Sequence, residues 1–159
     1  MWASENGRDW LGDDLPPDEI NEVMEGANYG WPDCYGDNVP DPFGNSDVCE
    51  DSIPAAVELQ AHVAPLGMSF YTGAMLPEYS GDLFVALHGS WNRSEPVGYS
   101  VVRVKMNGDG SVGGVENFVT GWLVNENGDD SALGRPVDVI GGPYGAIFVS
   151  DDKANVVYR

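Results

Sequence analysis

Two segments of this chain match each other position by position. Residues 81–86 read Gly-Asp-Leu-Phe-Val-Ala, and residues 145–150 read Gly-Ala-Ile-Phe-Val-Ser. Each copy follows a turn and precedes a strand containing a Val-Val pair, so the repeated unit is about four strands long. Repeats of this kind cannot bury their apolar faces alone, and they stack into β-propellers. The chain is therefore predicted to be all-β and to form a partial β-propeller.

Composition favours the same fold class. The 159 residues include 21 Gly and 11 Pro, and 11% of them are aromatic. This mixture is typical of many short strands joined by tight turns, and it is unfavourable for helices.

The patterning divides the chain into four parts. Residues 66–124 are predicted to form a complete antiparallel blade, and residues 125–159 an incomplete last blade that starts with a polar loop at 125–131. Residues 1–32 are predicted to hold the end of another blade and a top loop, and 33–65 a disulfide-closed loop and a connector. The predicted strands of the regular part are 68–71, 82–87, 99–106, 115–123, 137–140, 146–152 and 155–159, and residues 19–23 fit either a strand or one helical turn.

The repeat leaves the last blade without an outer strand. An open sheet edge is normally covered by another strand. We therefore expect that the chain begins inside a longer protein, and that its open edge is covered by a second copy of the chain or by a missing propeller half. Residues 107–111, Asn-Gly-Asp-Gly-Ser, resemble a calcium loop faintly, but the closing Glu is absent and a hairpin turn is favoured.

The charge of the chain excludes one large class of partners. It has 26 acidic and 7 basic residues, a formal net charge of −19, which opposes binding to nucleic acid. No run of 18 apolar residues exists, so no membrane span is predicted. The acidic surface is typical of an exported or salt-exposed protein, and we expect a periplasmic or secreted location.

Cys34 and Cys49 are fifteen residues apart in a loop rich in Pro, Asp, Gly and Asn. A disulfide that closes this loop fits, and it would stabilise the fold by roughly 3 kcal/mol in the chain-entropy model. It would also favour an oxidising compartment. The alternatives are two unrelated thiols or, less favoured, a metal site, since neither Cys has a second Cys or a His at ligand spacing.

Residues 81–93 combine a strand and a loop dense in functional groups. Residues 83–87 are all apolar, which is typical of a strand buried on both faces. The strand then breaks at a Gly into a loop that carries His, Ser, Trp, Asn and Arg, in the position where rigid scaffolds usually carry binding residues. Because cations are scarce in this chain, the loop residues Arg8, Arg93 and Arg135 are candidates for holding an anionic ligand.

Several segments together resemble the C-terminal part of the glucose/sorbosone dehydrogenase family. Members of that family are soluble six-bladed β-propellers that use pyrroloquinoline quinone (PQQ) and calcium to oxidise sugars. The resembling segments lie in the family's order over almost the whole chain: residues 5–21 (Glu-Asn-Gly-Arg-Asp-Trp-Leu-Gly-Asp-Asp-Leu-Pro-Pro-Asp-Glu-Ile-Asn), 28–32 (Asn-Tyr-Gly-Trp-Pro), 62–67 (His-Val-Ala-Pro-Leu-Gly), 81–93, 98–104 and 134–139 (Gly-Arg-Pro-Val-Asp-Val).

The resemblance implies a set of site residues and a sugar substrate. It places the backbone carbonyls of Gly7 and Arg8 at the cofactor's calcium. It places the 90–93 loop and Arg135 at the quinone carboxylates. The residues implied to contact the cofactor are Arg93, Arg135, His88, Asn92 and Trp91.

The catalytic residue is not assigned. The family's early blades, which carry its catalytic His and an Arg-Asn-Pro-Gln-Gly loop, have no counterpart in these residues, so the chain alone is expected to be inactive. His62 is interpreted as a packed or capping residue, and His88 as a contact residue rather than a base. Two other functions stay open. One is a non-catalytic propeller-derived binding or assembly module, and the other is a calcium-dependent lactonase-type site using Asp138, Asp151 and Asp152, which otherwise would cap turns.

Overall fold

The computed structural model describes residues 1–124 and 132–159, and this part of the chain consists of short antiparallel β-strands joined by loops and single-turn 3-10 helices. No helix in these ranges is long and apolar enough to cross a membrane. The strands are β1 (Trp2–Glu5), β2 (Asp18–Glu22), β3 (Cys34–Tyr35), β4 (Val39–Pro40), β5 (Val57–Leu59), β6 (Pro65–Phe70), β7 (Leu83–Leu87), β8 (Ser100–Met106), β9 (Val112–Val119), β10 (Pro136–Gly141), β11 (Ile147–Asp151) and β12 (Val156–Tyr158).

The largest sheet is a four-stranded antiparallel meander in the order β6-β7-β8-β9. It is the blade that was predicted over residues 66–124, with strand boundaries that differ by a few residues. β9 begins at Val112 and ends at Val119, earlier than predicted, because the turn is confined to residues 107–111. In that turn the N–H of Asn107 donates to the Ser111 carbonyl, and Asp109 accepts from the N–H and hydroxyl of Ser111.

Two further sheets flank this blade, and each has three strands. The first has the order β1-β2-β5, and the second has the order β10-β11-β12. Residues 18–22 therefore form a strand rather than a helical turn, and residues 57–59, within the range assigned to a connector, form the third strand of the first sheet. The polar loop predicted at 125–131 lies outside the described residues.

The central strand β7 is buried on both faces because each face contacts a different flanking sheet. Leu83, Val85 and Leu87 point into one apolar cluster, which Ile20 and Val57 of the first sheet complete. Phe84 and Ala86 point into a second cluster with residues of the last sheet. The uninterrupted apolar run therefore follows from period-two alternation between two cores.

The Cys34–Cys49 disulfide is present, as predicted. It joins the two-stranded β3-β4 hairpin to the 3-10 helix Ser46–Glu50, and both cysteines are buried. Few apolar side chains between residues 33 and 50 are buried. The disulfide therefore contributes stability to this segment that apolar packing does not provide.

Candidate functional site

Three loops meet at one end of the sheets. The first is residues 6–17, between β1 and β2; the second is residues 88–99, between β7 and β8; the third comprises residues 132–135 and 152–155, at the ends of β10 and β11. The amide of Asn92 donates to Asp9 Oδ1 at 2.7 Å, which joins the first loop to the second. Nε2 of His88 lies 3.0 Å from Asp152 Oδ1, which joins the second to the third. The three loops that carry most of the predicted site residues therefore lie against one another.

Asp18 anchors the turn at Gly7. Its side chain is buried at the start of β2, and it accepts hydrogen bonds from the N–H of Gly7 at 2.8 Å and the N–H of Ala64 at 2.7 Å. Burial raises the pKa of this carboxyl, while the two N–H groups oppose that rise. Sequence reasoning did not single out Asp18, although its position directly after Pro16-Pro17 marks the end of the loop.

Arg93 holds loops together. Its guanidinium donates to the Asp13 carbonyl, to the Glu95 carbonyl at 3.1 Å and to the Ala61 carbonyl at 3.5 Å. Its side chain is only 7% exposed, whereas that of Asp14, its ion-pair partner at 3.4 Å, is 89% exposed. Arg93 therefore mainly connects the 6–17 loop to the 88–99 loop through hydrogen bonds.

Arg135 binds the turn that follows β7. It donates to the carbonyls of His88, at 3.1 Å, and Gly89, and its guanidinium lies 5.4 Å from the centre of the Tyr99 ring. Gly89 has a positive φ of 103°, and a Cβ at this position would lie 2.4 Å from Cδ2 of Tyr99. Only glycine fits here, because the turn lies directly against the aromatic ring.

His88 and Arg8 are each paired with a carboxylate. The hydrogen bond from His88 lowers the pKa of the Asp152 carboxyl. Arg8 contacts Asp41 at 2.7 Å and lies 4.8 Å from the centre of the Phe43 ring. Among the described residues, Nε of Arg8 is buried without a hydrogen-bond partner, so this guanidinium retains an unused donor.

His62 has a local structural contact. Its Nε2 lies 2.9 Å from the Gly12 carbonyl, and its backbone φ is 67°. This geometry supports the interpretation of His62 as a buried loop contact.

The three aspartates considered for a lactonase-type metal have other partners. Asp151 accepts from the N–H groups of Arg135 and Ala154, and Asp138 accepts from the N–H of Val139. Asp152 is paired with His88, as described above. Within residues 1–124 and 132–159, no three His, Cys, Asp or Glu side chains lie close enough together to hold a metal ion.

A row of glutamates crosses the first sheet on one face. Glu5 is paired with Glu19 on β2, and Glu19 is paired with Glu58 on β5. Burial raises the pKa of Glu5 to about 7, and the negative charges of Glu19 and Asp18 add to that effect. Residue spacing along the chain does not predict this row, since it depends on the strand register.

The chain matches a known family model and is similar to several known proteins. The TrAA12-like family model matches residues 38–159, more than half of the chain. The chain belongs to the TrAA12-like family. An uncharacterized protein of Borreliella burgdorferi is 41% identical over 164 aligned residues that cover 100% of this chain and 42% of that protein. A pyrroloquinoline quinone-dependent pyranose dehydrogenase of Coprinopsis cinerea is 31% identical, over 81% of this chain and 22% of that enzyme.

Solved structures show the same fold for this TrAA12-like chain. The iodide structure of the Trichoderma reesei family AA12 carbohydrate-active enzyme has a TM-score of 0.79 and 24% identity, over 98% of this chain and 48% of that one. The holo form of the PQQ domain of Coprinopsis cinerea pyranose dehydrogenase has a TM-score of 0.72 and 26% identity, over 97% and 47%. The resemblance to the sugar dehydrogenases and the all-β, partial-propeller fold class are confirmed, and the chain spans less than half of each of these relatives.

Proposed function

We propose that the chain forms part of a PQQ and calcium site for sugar oxidation. The observation that supports the proposal is the convergence of the 6–17, 88–99 and 132–135 loops, in which Arg93 donates to the Asp13 carbonyl and Arg135 to the Gly89 carbonyl. In a chain of net charge −19, two cations at one loop cluster favour an anionic ligand. We assign PQQ as that ligand and a sugar as the substrate because the Coprinopsis cinerea relative is a PQQ-dependent pyranose dehydrogenase.

The residues fit this group in charge and ligand type. A tricarboxylate cofactor needs cationic donors, which Arg93 and Arg135 supply, and the unpaired Nε of Arg8 is a further donor. Calcium prefers oxygen ligands, and we assign that role to the carbonyls of Gly7 and Arg8, as the resemblance to the sugar dehydrogenases implies. Asp18 fixes the position of these carbonyls through the Gly7 N–H.

Other residues of the 88–99 loop border the cofactor in this proposal. His88, Asn92 and Trp91 lie next to the turn that Arg135 holds. When bound, the quinone would supply a two-electron acceptor for the sugar. The residues of this chain bind and orient it in this proposal, and we assign the general base to a part of the parent protein that these segments do not match, as the resemblance to the sugar dehydrogenases implies.

Cofactor binding tests the proposal. The chain is titrated with PQQ in the presence of calcium, and binding is followed by the shift of the quinone absorbance. Arg135→Met should weaken binding about tenfold to a hundredfold, since hydrogen bonds to charged groups contribute about 1.5–3 kcal/mol. Arg135→Lys should recover part of the loss. Lys105→Met, which removes a cation from the half-exposed end of a β8 side chain, should bind like the wild type.

Turnover gives a second readout. With PQQ, calcium and glucose, the isolated chain should reduce a dye weakly or not at all. The absence of an absorbance shift with PQQ would overturn the proposed site. Robust glucose-dependent dye reduction that persists in His88→Ala would show that a base is present within these residues.

A second function is favoured by a different observation. A cleft of about 740 Å³ lies between the last sheet and β9, and apolar side chains such as Phe118, Trp122 and Tyr158 line it. Together with the exposed strand β12, this cleft favours a binding or assembly module that closes on a second copy or on the rest of a propeller. The disulfide and the acidic surface support a periplasmic or secreted location for either function.

A further inference from the structure

A cleft of about 430 Å³ lies beside β1, and we call it the β1 cleft. Ala3, Glu5 and Asn21 line it, and strand alternation and register place all three on the face of the first sheet that carries the glutamate row. Ala3 is paired with Asn21 across the two strands. Because its side chain is a single methyl group, the space above this pair is left open next to Glu5.

Asn21 carries a hydrogen-bond acceptor that the fold leaves unused. The residue is only 4% exposed, and its Nδ2 donates to Glu19 Oε2 at 3.1 Å. Among the described residues, none donates a hydrogen bond to its buried Oδ1. Buried acceptors without a partner are destabilising and rare in native proteins. A ligand with N–H groups, bound in the cleft that Asn21 lines, would supply the missing donor.

The charge of the β1 cleft is negative. Its lining residues in the described part of the chain are neutral apart from Glu5, which is half-buried. The charges that act on the Glu5 carboxyl are those of Glu19 and Asp18, and both are negative. Carboxylates that are partly removed from water and lack a cationic partner attract a cation.

Two aromatic residues also line the cleft. The Tyr29 hydroxyl donates to the Glu22 carbonyl at 2.6 Å and accepts from the N–H of Met24 at 2.9 Å, which fixes this side chain at the end of β2. Trp31 is 54% exposed, so most of its ring is free to contact a ligand. The faces of such rings attract organic cations, and a planar guanidinium also stacks on them.

The spacing of the two acceptors indicates the shape of the cation. Glu5 is paired with Glu19, and Asn21 lies two residues further along β2, so Glu5 and Asn21 are diagonal neighbours. Diagonal neighbours on adjacent antiparallel strands are about 7–8 Å apart. A planar guanidinium has N–H groups on opposite sides and can donate to two acceptors at this spacing, whereas an ammonium is a compact point charge.

We propose that the β1 cleft binds a guanidinium group. The Glu5 carboxylate and Asn21 Oδ1 accept its N–H groups, and its plane lies against the Trp31 ring. A free guanidino compound and the arginine side chain of another polypeptide both present this group. The inference goes beyond the proposed redox site and requires neither PQQ nor calcium, so the failure of either proposal would leave the other unaffected.

An NMR titration of the chain, followed through the backbone N–H signals of β1, tests the site. The probes are methylguanidinium, methylammonium and a peptide with blocked ends and a single central arginine, at about pH 8, where carboxyl groups are charged. Methylguanidinium should bind about tenfold more tightly than methylammonium, because it makes one more charge-assisted hydrogen bond. Peptide binding as well would assign the site to an arginine side chain, and binding of methylguanidinium alone would assign it to a free guanidino compound.

Substitutions separate charge, space and stacking. Glu5→Gln should weaken methylguanidinium binding about tenfold or more, since it removes the charge and keeps the shape. Ala3→Leu, which fills the cleft, should abolish binding, and Trp31→Ala should weaken it about two- to fivefold. Glu22→Gln removes an exposed carboxylate from the other face of β2 and should bind like the wild type.

Circular dichroism checks that each variant is folded. The proposal is overturned if methylguanidinium does not bind the wild type, or if it binds no more tightly than methylammonium. It is also overturned if folded Glu5→Gln or folded Ala3→Leu binds methylguanidinium like the wild type.

Discussion

At the scale of single residues, the three loop arginines have contacts within the chain as well as a charge that could bind an anionic ligand. Arg8, Arg93 and Arg135 were grouped because cations are scarce, and all three lie in the loop cluster. Each also has a task inside the chain, since Arg93 and Arg135 donate to backbone carbonyls and Arg8 pairs with Asp41. An arginine can hold a loop with some of its five N–H groups while its charge still acts on a nearby ligand.

Glu5 gives a pH prediction at this scale. The folded state holds the Glu5 proton up to about pH 7, and the unfolded chain releases it near pH 4.5. This contribution to stability is therefore fully present below about pH 4.5 and is lost as the pH rises to about 7. Glu5→Gln should remove about 1–2 kcal/mol of this pH dependence, a value discounted because solvent reaches the half-buried carboxyl.

The measurement is urea denaturation of the wild type and Glu5→Gln at intervals between pH 4.5 and 7.5. Glu22→Gln removes an exposed carboxylate from the same sheet and serves as the control. If the stability difference between wild type and Glu5→Gln stays constant over this pH range, Glu5 does not titrate as stated.

At the scale of elements, the turn between β7 and β8 connects the buried blade to the site. Gly89 lies against Tyr99, Arg135 binds its carbonyl, and the Tyr99 hydroxyl donates to the Ser90 carbonyl at 2.5 Å. The 88–99 loop is therefore held in place by the Tyr99 ring and by Arg135, which directly precedes the first strand of the last sheet.

Two glycine substitutions separate the steric and conformational parts of this constraint. Gly81 has φ 90° and open space around its Cα, whereas Gly89 has φ 103° and the Tyr99 ring in the way. Gly81→Ala should cost about 1–2 kcal/mol for the left-handed backbone alone. Gly89→Ala should cost at least about 3 kcal/mol, since the turn must also move away from the ring. Chemical denaturation measures both, and equal costs would contradict the packing argument.

At the scale of the whole molecule, the described residues bury the blade between two three-stranded sheets. The last sheet ends at β12, where Val157 is 65% exposed and the neighbouring cleft is apolar. An uncovered edge strand of this composition pairs readily with another strand.

We therefore expect the chain to self-associate with rising concentration through this edge. Val157→Lys should shift it toward the monomer, because an edge lysine resists strand pairing. Val39→Lys, which changes an exposed valine on β4, should leave the association unchanged. Light scattering over a concentration series measures the effect, and a wild type that is monomeric throughout would contradict the expectation.

The sequence by itself determined the all-β fold class and most strands of the blade and of the last sheet, whereas β3, β4 and β5 were not predicted. The repeat, the apolar run at 83–87 and the paired cysteines are local signals whose physical meaning does not depend on long-range contacts. The resemblance to the sugar dehydrogenases rested on segments that follow one another in order, and it was confirmed.

Only the tertiary structure decided how side chains meet across loops and strands. The register of β1, β2 and β5 aligns Glu5, Glu19 and Glu58, and a shift of one residue would have separated them. The contact of Trp10 with Trp91 and the clamp of Asp18 on Gly7 and Ala64 likewise join residues far apart in sequence. Such contacts depend on how the sheets stack, and residue spacing along the chain carries no direct signal for them.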